Sequence, residues 1–187
     1  MKFQEYINEE TKKYPVEEMA NMIKKDCKSF LKEVGENSIY RGYKKQIKTI
    51  ERIKSRSDRK PLGTPKEDHD MLNKMFKKKF GWKARSEGVF CSNDINDVQQ
   101  YGIVHLFYPI GQYKYVWSPK VKDLTVNLED FDNYEDDFDT FDEYVEWIIS
   151  TYKDTGLKDA ISYEHEVSVK CKEYYLVHPF HDIHDWL

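Results

Sequence analysis

Hydrophobic spacing divides this chain into helical and extended stretches. From Phe3 to Val34 the apolar residues recur every three or four positions. Phe3, Tyr6 and Ile7 share one face; Met19, Met22, Ile23, Cys27, Phe30, Leu31 and Val34 share another. The spacing predicts a helical pair, with Pro15 in the first turn of the second helix and Gly35 as its stop. A short strand follows at Ile39-Tyr40-Arg41-Gly42. Lys44 to Lys60 reads as a basic loop that ends in the rigid turn Pro61-Leu62-Gly63-Thr64-Pro65. Met71, Leu72, Met75, Phe76 and Phe80 define a helix running to about Lys79, capped by Thr64 or Asp68 and stopped by Gly81.

The second half reads as more strand than helix. Gly88–Ser92 is a short strand, and Asn93 or Asp94 caps a helix over Ile95–Tyr101. Two strands, Ile103–Tyr108 and Tyr113–Trp117, flank Pro109-Ile110-Gly111, and Leu124–Leu128 is a weaker strand. The acidic run Glu129–Asp142 reads as a solvated loop leading into a helix from Phe141 to Thr151. From Tyr163 to Cys171 apolar and polar residues alternate. A strand there sends Tyr163, His165, Val167, Val169 and Cys171 one way and Glu164, Glu166, Ser168 and Lys170 the other. Tyr174–Val177 is its partner after a turn at Lys172-Glu173. By itself, a strand carrying two carboxylates on one face is most simply a half-exposed strand with a wet polar side.

Composition narrows the setting. With 187 residues, 39% apolar and 34% charged, the chain is large enough for one domain with a real core and is not disordered in character. Fourteen Tyr and ten Phe favour aromatic packing and strands. The net charge of −4 conceals a segregation: residues 41–85 hold sixteen Lys or Arg against five acids, and residues 123–146 hold eleven acids and no Lys or Arg. Cys27, Cys91 and Cys171 lack metal-ligand spacing, and an odd, sparse set suits a reducing compartment. No stretch reads as a signal peptide or a membrane span, so the expectation is a soluble, cytoplasmic protein with no membrane partner. His181, Asp182, His184 and Asp185 in the tail have metal-binding chemistry, but two His beside a terminus read better as polar surface, and no metal is expected.

Three short segments carry the candidate chemistry, in order: Tyr40-Arg41-Gly42, then Phe90-Cys91-Ser92, then Glu164-His165-Glu166. This order resembles the Arg–Ser–Glu class of mono-ADP-ribosyltransferases, which includes clostridial and cholera-type toxins and several phage enzymes. The likeness runs from about Ile39 to Val177. It departs from the family in the middle motif, where Phe90-Cys91-Ser92-Asn93 stands in place of Ser-Thr-Ser. The resemblance implies an α+β fold: split, mixed or antiparallel sheets around an NAD cleft, behind an N-terminal helical cover. It implies one domain, with residues 1–36 as cover, 37–178 as catalytic core and 179–187 as tail.

The resemblance also implies NAD as the substrate and assigns roles. Glu166 stabilises the cation that develops on the ribose as nicotinamide leaves. Arg41 grips the pyrophosphate, and Arg85 adds a second contact or is a surface residue. Gly42 lets nicotinamide approach the backbone, Ser92 supports Glu166, and Cys91 lines the pocket or packs as a small buried hydrophobe. Tyr40, Phe90 and Tyr101 are aromatics that stack on nicotinamide or simply fill the core. Glu164 acts on an Arg acceptor or is an exposed strand residue. The expected activity is mono-ADP-ribosylation of a macromolecule, foremost a protein Arg, by a phage-type or intracellular enzyme acting on host proteins in the cytoplasm. NAD hydrolysis is the alternative enzyme reading. A non-catalytic relative, or a nucleic-acid-binding module built on residues 41–85, is the alternative outside enzymes, with the acidic 123–146 segment weighing against nucleic acid. The sequence names neither the acceptor nor the oligomeric state.

Overall fold

The structure, a computed structural model, describes residues 15–61, 64–134, 137–179, 183 and 187. It is an α+β arrangement built on two antiparallel sheets.

Helices α1 (Val16–Asp26) and α2 (Lys28–Val34) meet at Cys27, and α2 stops at Gly35, whose φ of +63° suits glycine. Met19, Ala20, Ile23, Phe30 and Val34 are buried, so the predicted apolar face is the one that packs. They join one core with residues of both sheets, including Leu106, Phe107, Val167, Val169 and Leu176. Two hydroxyls tie the cover down, since Tyr113 and Tyr115 both donate to Glu33 of α2. The helical turn expected at Phe3, Tyr6 and Ile7 lies outside the described residues.

The larger sheet contains β1 (Tyr40–Tyr43), β2 (Ile50–Lys54), β4 (Ile103–Pro109) and β7 (Glu173–Val177), in the order β1-β4-β7-β2. The smaller contains β3 (Val89–Cys91), β5 (Tyr113–Trp117) and β6 (Val167–Cys171), in the order β3-β6-β5. Chain continuity from β4 to β5 and from β6 to β7 joins them, and Tyr40 and Ser92 exchange backbone hydrogen bonds of 2.9 and 3.0 Å where β1 meets the end of β3.

A second core gathers α3 (Lys66–Phe80), α6 (Leu124–Glu129) and α7 (Phe141–Thr151) around Leu72, Phe76, Leu124, Tyr144 and Ile148. Lys79, at the end of α3, donates to the carbonyls of Ile149, Ser150 and Tyr152 around the C-terminal end of α7. The described helices are completed by α4 (Ala84–Glu87), α5 (Ile95–Gln99), α8 (Leu157–Ser162) and a 3-10 turn at Asp130–Tyr134, where the acidic run expected as a solvated loop packs Phe131 and Tyr134 on this core. None of the described helices is long and apolar enough to cross a membrane.

Four local expectations need correction. Leu124–Leu128 is helical because the Asp123 carboxylate accepts from the amides of Thr125 and Val126, and Leu124 and Leu128 then share a buried face at i,i+4. The basic segment 44–60 contains β2, an edge strand whose exposed Glu51, Arg52 and Lys54 hide its alternation. Neither Thr64 nor Asp68 caps α3, because Pro65 holds the position before its first turn. The alternation at Tyr163–Glu166 is not a strand. Helix α8 runs to Ser162, Glu164 turns with a φ of +59°, and β6 begins only at Val167. Of that alternating set, Val167, Val169 and Cys171 point inward as expected, while Tyr163 is exposed. The tail positions His181, Asp182, His184 and Asp185 lie outside the described residues.

Candidate functional site

A cleft of about 460 Å³ opens between the sheets. Alternation along β1 turns Arg41 and Tyr43 into it and sends Tyr40 onto the core, so Tyr40 does not line the cleft. Ile53 and Lys54 enter from β2 and Tyr174 from β7. The opposite wall is Val89, Phe90, Cys91 and Ser92, with Glu166 beside them. The three segments picked from sequence therefore converge, although Arg41 and Glu166 are separated by 125 positions of chain.

The Arg41 guanidinium donates to the Phe90 carbonyl at 3.3 Å and sits 5.7 Å from the centre of the Tyr174 ring. Its Nε is buried and has no partner among the described residues. Such a donor favours an incoming acceptor, because a buried polar group without a hydrogen bond is costly. Gly42 lies in the wall for a different reason from the one expected. A Cβ there would fall 2.5 Å from the Val98 carbonyl and 2.8 Å from the Tyr101 backbone, so the glycine seats α5 and the turn after it against β1.

Glu166 is the carboxylate at the centre of this wall. Its Oε1 meets Arg85 Nη1 at 3.3 Å, and the two side chains are only 16% and 11% exposed. Its own amide donates to the Lys122 carbonyl at 2.9 Å, and Thr125 Oγ1 accepts from Arg85 Nη2 at 3.3 Å. The segment leading into α6 thus fixes both members of the pair. Burial raises the Glu166 pKa above the usual carboxylate value; Arg85 and Arg59 pull it down and Asp123 pushes it up. Arg85 Nε is buried and unpartnered, as Arg41 Nε is.

Phe90 is flanked by cations. Arg59 lies 4.3 Å and Arg85 4.5 Å from its ring centre. The guanidiniums thus lie where nicotinamide was expected to stack. Arg59 also donates to the Gly88 carbonyl at 2.7 Å. Burial, with Arg41 and Arg85 nearby, lowers its pKa to about 10, which leaves it charged at neutral pH. Sequence reasoning did not single out Arg59. It stands in the loop after β2, where its only signal was membership of a basic run.

Ser92 holds the turn that carries the carboxylates. Its hydroxyl donates to the Glu164 carbonyl at 3.1 Å and accepts from the Asp94 amide at 3.0 Å. It supports Glu166 through the backbone two residues earlier, and not by touching the Glu166 carboxylate. Cys91 lines the cleft but is a buried thiol whose pKa burial drives upward. Tyr101 does line the cleft, 55% exposed, with its hydroxyl donating to Asp123 at 3.3 Å. Glu164 is not a cleft residue. It is exposed, on the positive-φ turn.

Among the described residues no cluster of three or more His, Cys, Asp or Glu is arranged to hold a metal. The lining Arg, Lys and apolar side chains suit an anionic ligand with flat rings. Comparison with protein-family models, with curated proteins and with solved structures gives no match to this chain.

Proposed function

We propose that this protein is an NAD-dependent mono-ADP-ribosyltransferase of the Arg–Ser–Glu type, with the split-sheet architecture of that group, acting on a macromolecule and foremost on a protein Arg. The observation that carries the reading is the meeting, in one cleft, of a buried carboxylate and a row of guanidiniums contributed by segments distant in sequence. Arg41 and Arg59 suit the pyrophosphate, since a guanidinium offers paired donors in a fixed fork. Glu166 suits the ribose. As the nicotinamide bond breaks, positive charge grows on the sugar, and a fixed carboxylate stabilises that charge more than it stabilises the ground state. Arg85 keeps the carboxylate ionised and oriented. Ser92 and the Lys122 carbonyl fix the backbone that leads into it. Outside the cell or inside, the chemistry is the same; a cytoplasmic, phage-type modifier of host proteins remains the biological setting we propose.

One observation favours a second reading, NAD hydrolysis. Glu164, the residue matched to acceptor activation, is exposed on a turn and does not line the cleft. Water needs no such carboxylate. The deciding experiment is incubation of the purified protein with NAD labelled in its adenosine half, with and without a cell lysate. Label on protein is the expected result. Free ADP-ribose alone selects hydrolysis, and intact NAD in every lysate overturns both.

A further inference from the structure

Three carboxylates line the cleft: Asp97, Asp123 and Glu166. Glu166 pairs with Arg85, and Asp97 pairs with Lys122 at 3.2 Å. Asp123 alone has no cation partner among the described residues. Its Oδ1 accepts from the amides of Thr125 and Val126 at 2.7 and 3.2 Å, and its Oδ2 accepts only from the Tyr101 hydroxyl at 3.3 Å. A carboxylate oxygen has two lone-pair sites, so Oδ2 keeps capacity for a further donor. Tyr101 beside it is 55% exposed and lines the cleft, so part of its ring is open to a ligand there. A carboxylate next to an exposed aromatic face is a seat for a flat cation: the acid takes the N–H donors and the ring takes the charge.

The seat adjoins the proposed reacting centre. Lys122, the residue before Asp123, holds the Glu166 amide; Thr125, two residues after it, holds Arg85. On the ADP-ribosyltransferase reading, on which this inference rests, an acceptor bound at Asp123 is beside the ribose that Glu166 stabilises. We infer that Asp123, with the Tyr101 ring, binds the guanidinium of the acceptor and receives its proton, the role that the sequence match gave to Glu164. The acceptor nitrogen forms a bond to the ribose C1′ as the bond from C1′ to the nicotinamide nitrogen breaks. Nicotinamide leaves neutral with that electron pair. The guanidinium gives up one N–H proton to Asp123, which passes it to solvent, and the product guanidinium keeps a single positive charge. No oxidant or other reactant is needed.

The Tyr101 hydroxyl suits this arrangement. Burial first, and Asp123 and Glu166 after it, raise its pKa to about 12, so it remains a donor to Asp123 at neutral pH. Charge discriminates further. A neutral acceptor of the same shape leaves Asp123 unpaired, and a site built around one charged partner rejects the neutral analogue strongly.

The test uses the full chain, labelled NAD and agmatine, a small guanidino compound. Two products are counted, ADP-ribosyl-agmatine and free ADP-ribose. Wild type is expected to make both, with the share of adduct saturating as agmatine rises. Asp123→Asn keeps an acceptor oxygen for the Thr125 and Val126 amides, so the cap survives; circular dichroism checks the fold. Its ratio of adduct to free ADP-ribose is expected to fall about ten- to a hundredfold, the worth of one charge-assisted hydrogen bond, and its KM for agmatine to rise. Tyr101→Leu is expected to raise the same KM, and Glu164→Gln to leave the ratio at its wild-type value. An unchanged ratio in folded Asp123→Asn overturns the inference while NAD cleavage leaves the parent reading standing. So does a ratio that falls in Glu164→Gln instead, or wild type that cleaves NAD without ever modifying agmatine. If wild type cleaves no NAD at all, both readings fall together.

Discussion

Two Arg–Glu pairs in this protein have the same chemistry and opposite physics. Arg52 and Glu173 meet at 2.6 Å across the outer edge of the larger sheet, with side chains 52% and 29% exposed. Arg85 and Glu166 meet at 3.3 Å in the cleft, with side chains 11% and 16% exposed. The hydrogen bond from Arg52 lowers the Glu173 pKa, whereas burial raises that of Glu166 in spite of Arg85. On the surface both partners keep most of their hydration, so little is lost and the contact decides the sign. In the cleft the lost hydration outweighs a longer contact. The shorter pair is thus the less consequential one. A carboxylate held at a cost to the fold is the kind of group that catalytic sites collect.

The sharpest way to break this contrast is at Glu166. Glu166→Gln keeps the size and removes the charge. Removal of one electrostatic contact to a transition state costs about two to three powers of ten in rate. NAD cleavage, by transfer or by hydrolysis, is expected to fall by that factor in folded protein. The equivalent Glu173→Gln is expected to leave it alone. Normal turnover of labelled NAD in Glu166→Gln removes the residue from the chemistry and reduces the cleft pair to a structural one.

Arg41 comes next. Arg41→Ala is expected to weaken NAD binding by about ten- to a hundredfold, the range of a lost charged hydrogen bond, and Arg41→Lys to recover only part of it. An ammonium lacks the planar fork. Calorimetric titration decides this, and an affinity unchanged in Arg41→Ala assigns the anion site to Arg59 without it.

The convergence of these residues was legible before the fold was known, but their local geometry was not. Arg41, Ser92 and Glu166 each sit on or beside a short apolar strand flanked by turn residues, and such strands announce themselves by composition. Glu164 was misplaced because a period of two is satisfied equally by a strand and by a turn followed by a strand; the positive φ that separates them leaves no mark on a Glu. Asp123 was hidden by reading Leu124–Leu128 as extended. The signal that finds the helix was present, an Asp directly before Leu124 and a second apolar residue four positions on, but Val126 and Thr125 suit a strand as well. Arg59 and β2 were lost in a basic run, where edge-strand cations and cleft cations look alike in sequence.

A third expectation concerns pH. A raised Glu166 pKa means that the folded protein binds this proton more tightly than the unfolded chain. Stability from this group is therefore highest below the ordinary carboxylate value of about 4.3 and declines as pH rises through its higher value in the fold. Activity runs the other way, because the ionised form is the useful one. The acid limb of kcat/KM against pH is expected above the usual carboxylate range. In Arg85→Gln the limb is expected to move further up, since the cation that favours ionisation is gone. A limb that stays in place in Arg85→Gln shows that Arg59 and not Arg85 sets the charge of the pair.

The smallest effect belongs to the outer pair, and its smallness is the point. Glu173 has a lowered pKa, so its contribution to stability is present above the unfolded carboxylate value and disappears as pH falls through the folded one. Both partners are open to solvent, and salt screens what attraction remains. Arg52→Gln is expected to leave the melting temperature at neutral pH within measurement error at physiological ionic strength, and to lower it only slightly in dilute buffer. The position within β2 adds a reason. Arg52 is paired in register with Tyr175, and Glu173 with Lys54, so a second cation stands opposite Glu173 when the first is removed. A melting temperature that falls by several degrees and does not respond to salt would mean that the edge pair is effectively desolvated. The contrast between surface and cleft would then have to rest on what surrounds each carboxylate and not on its exposure to water.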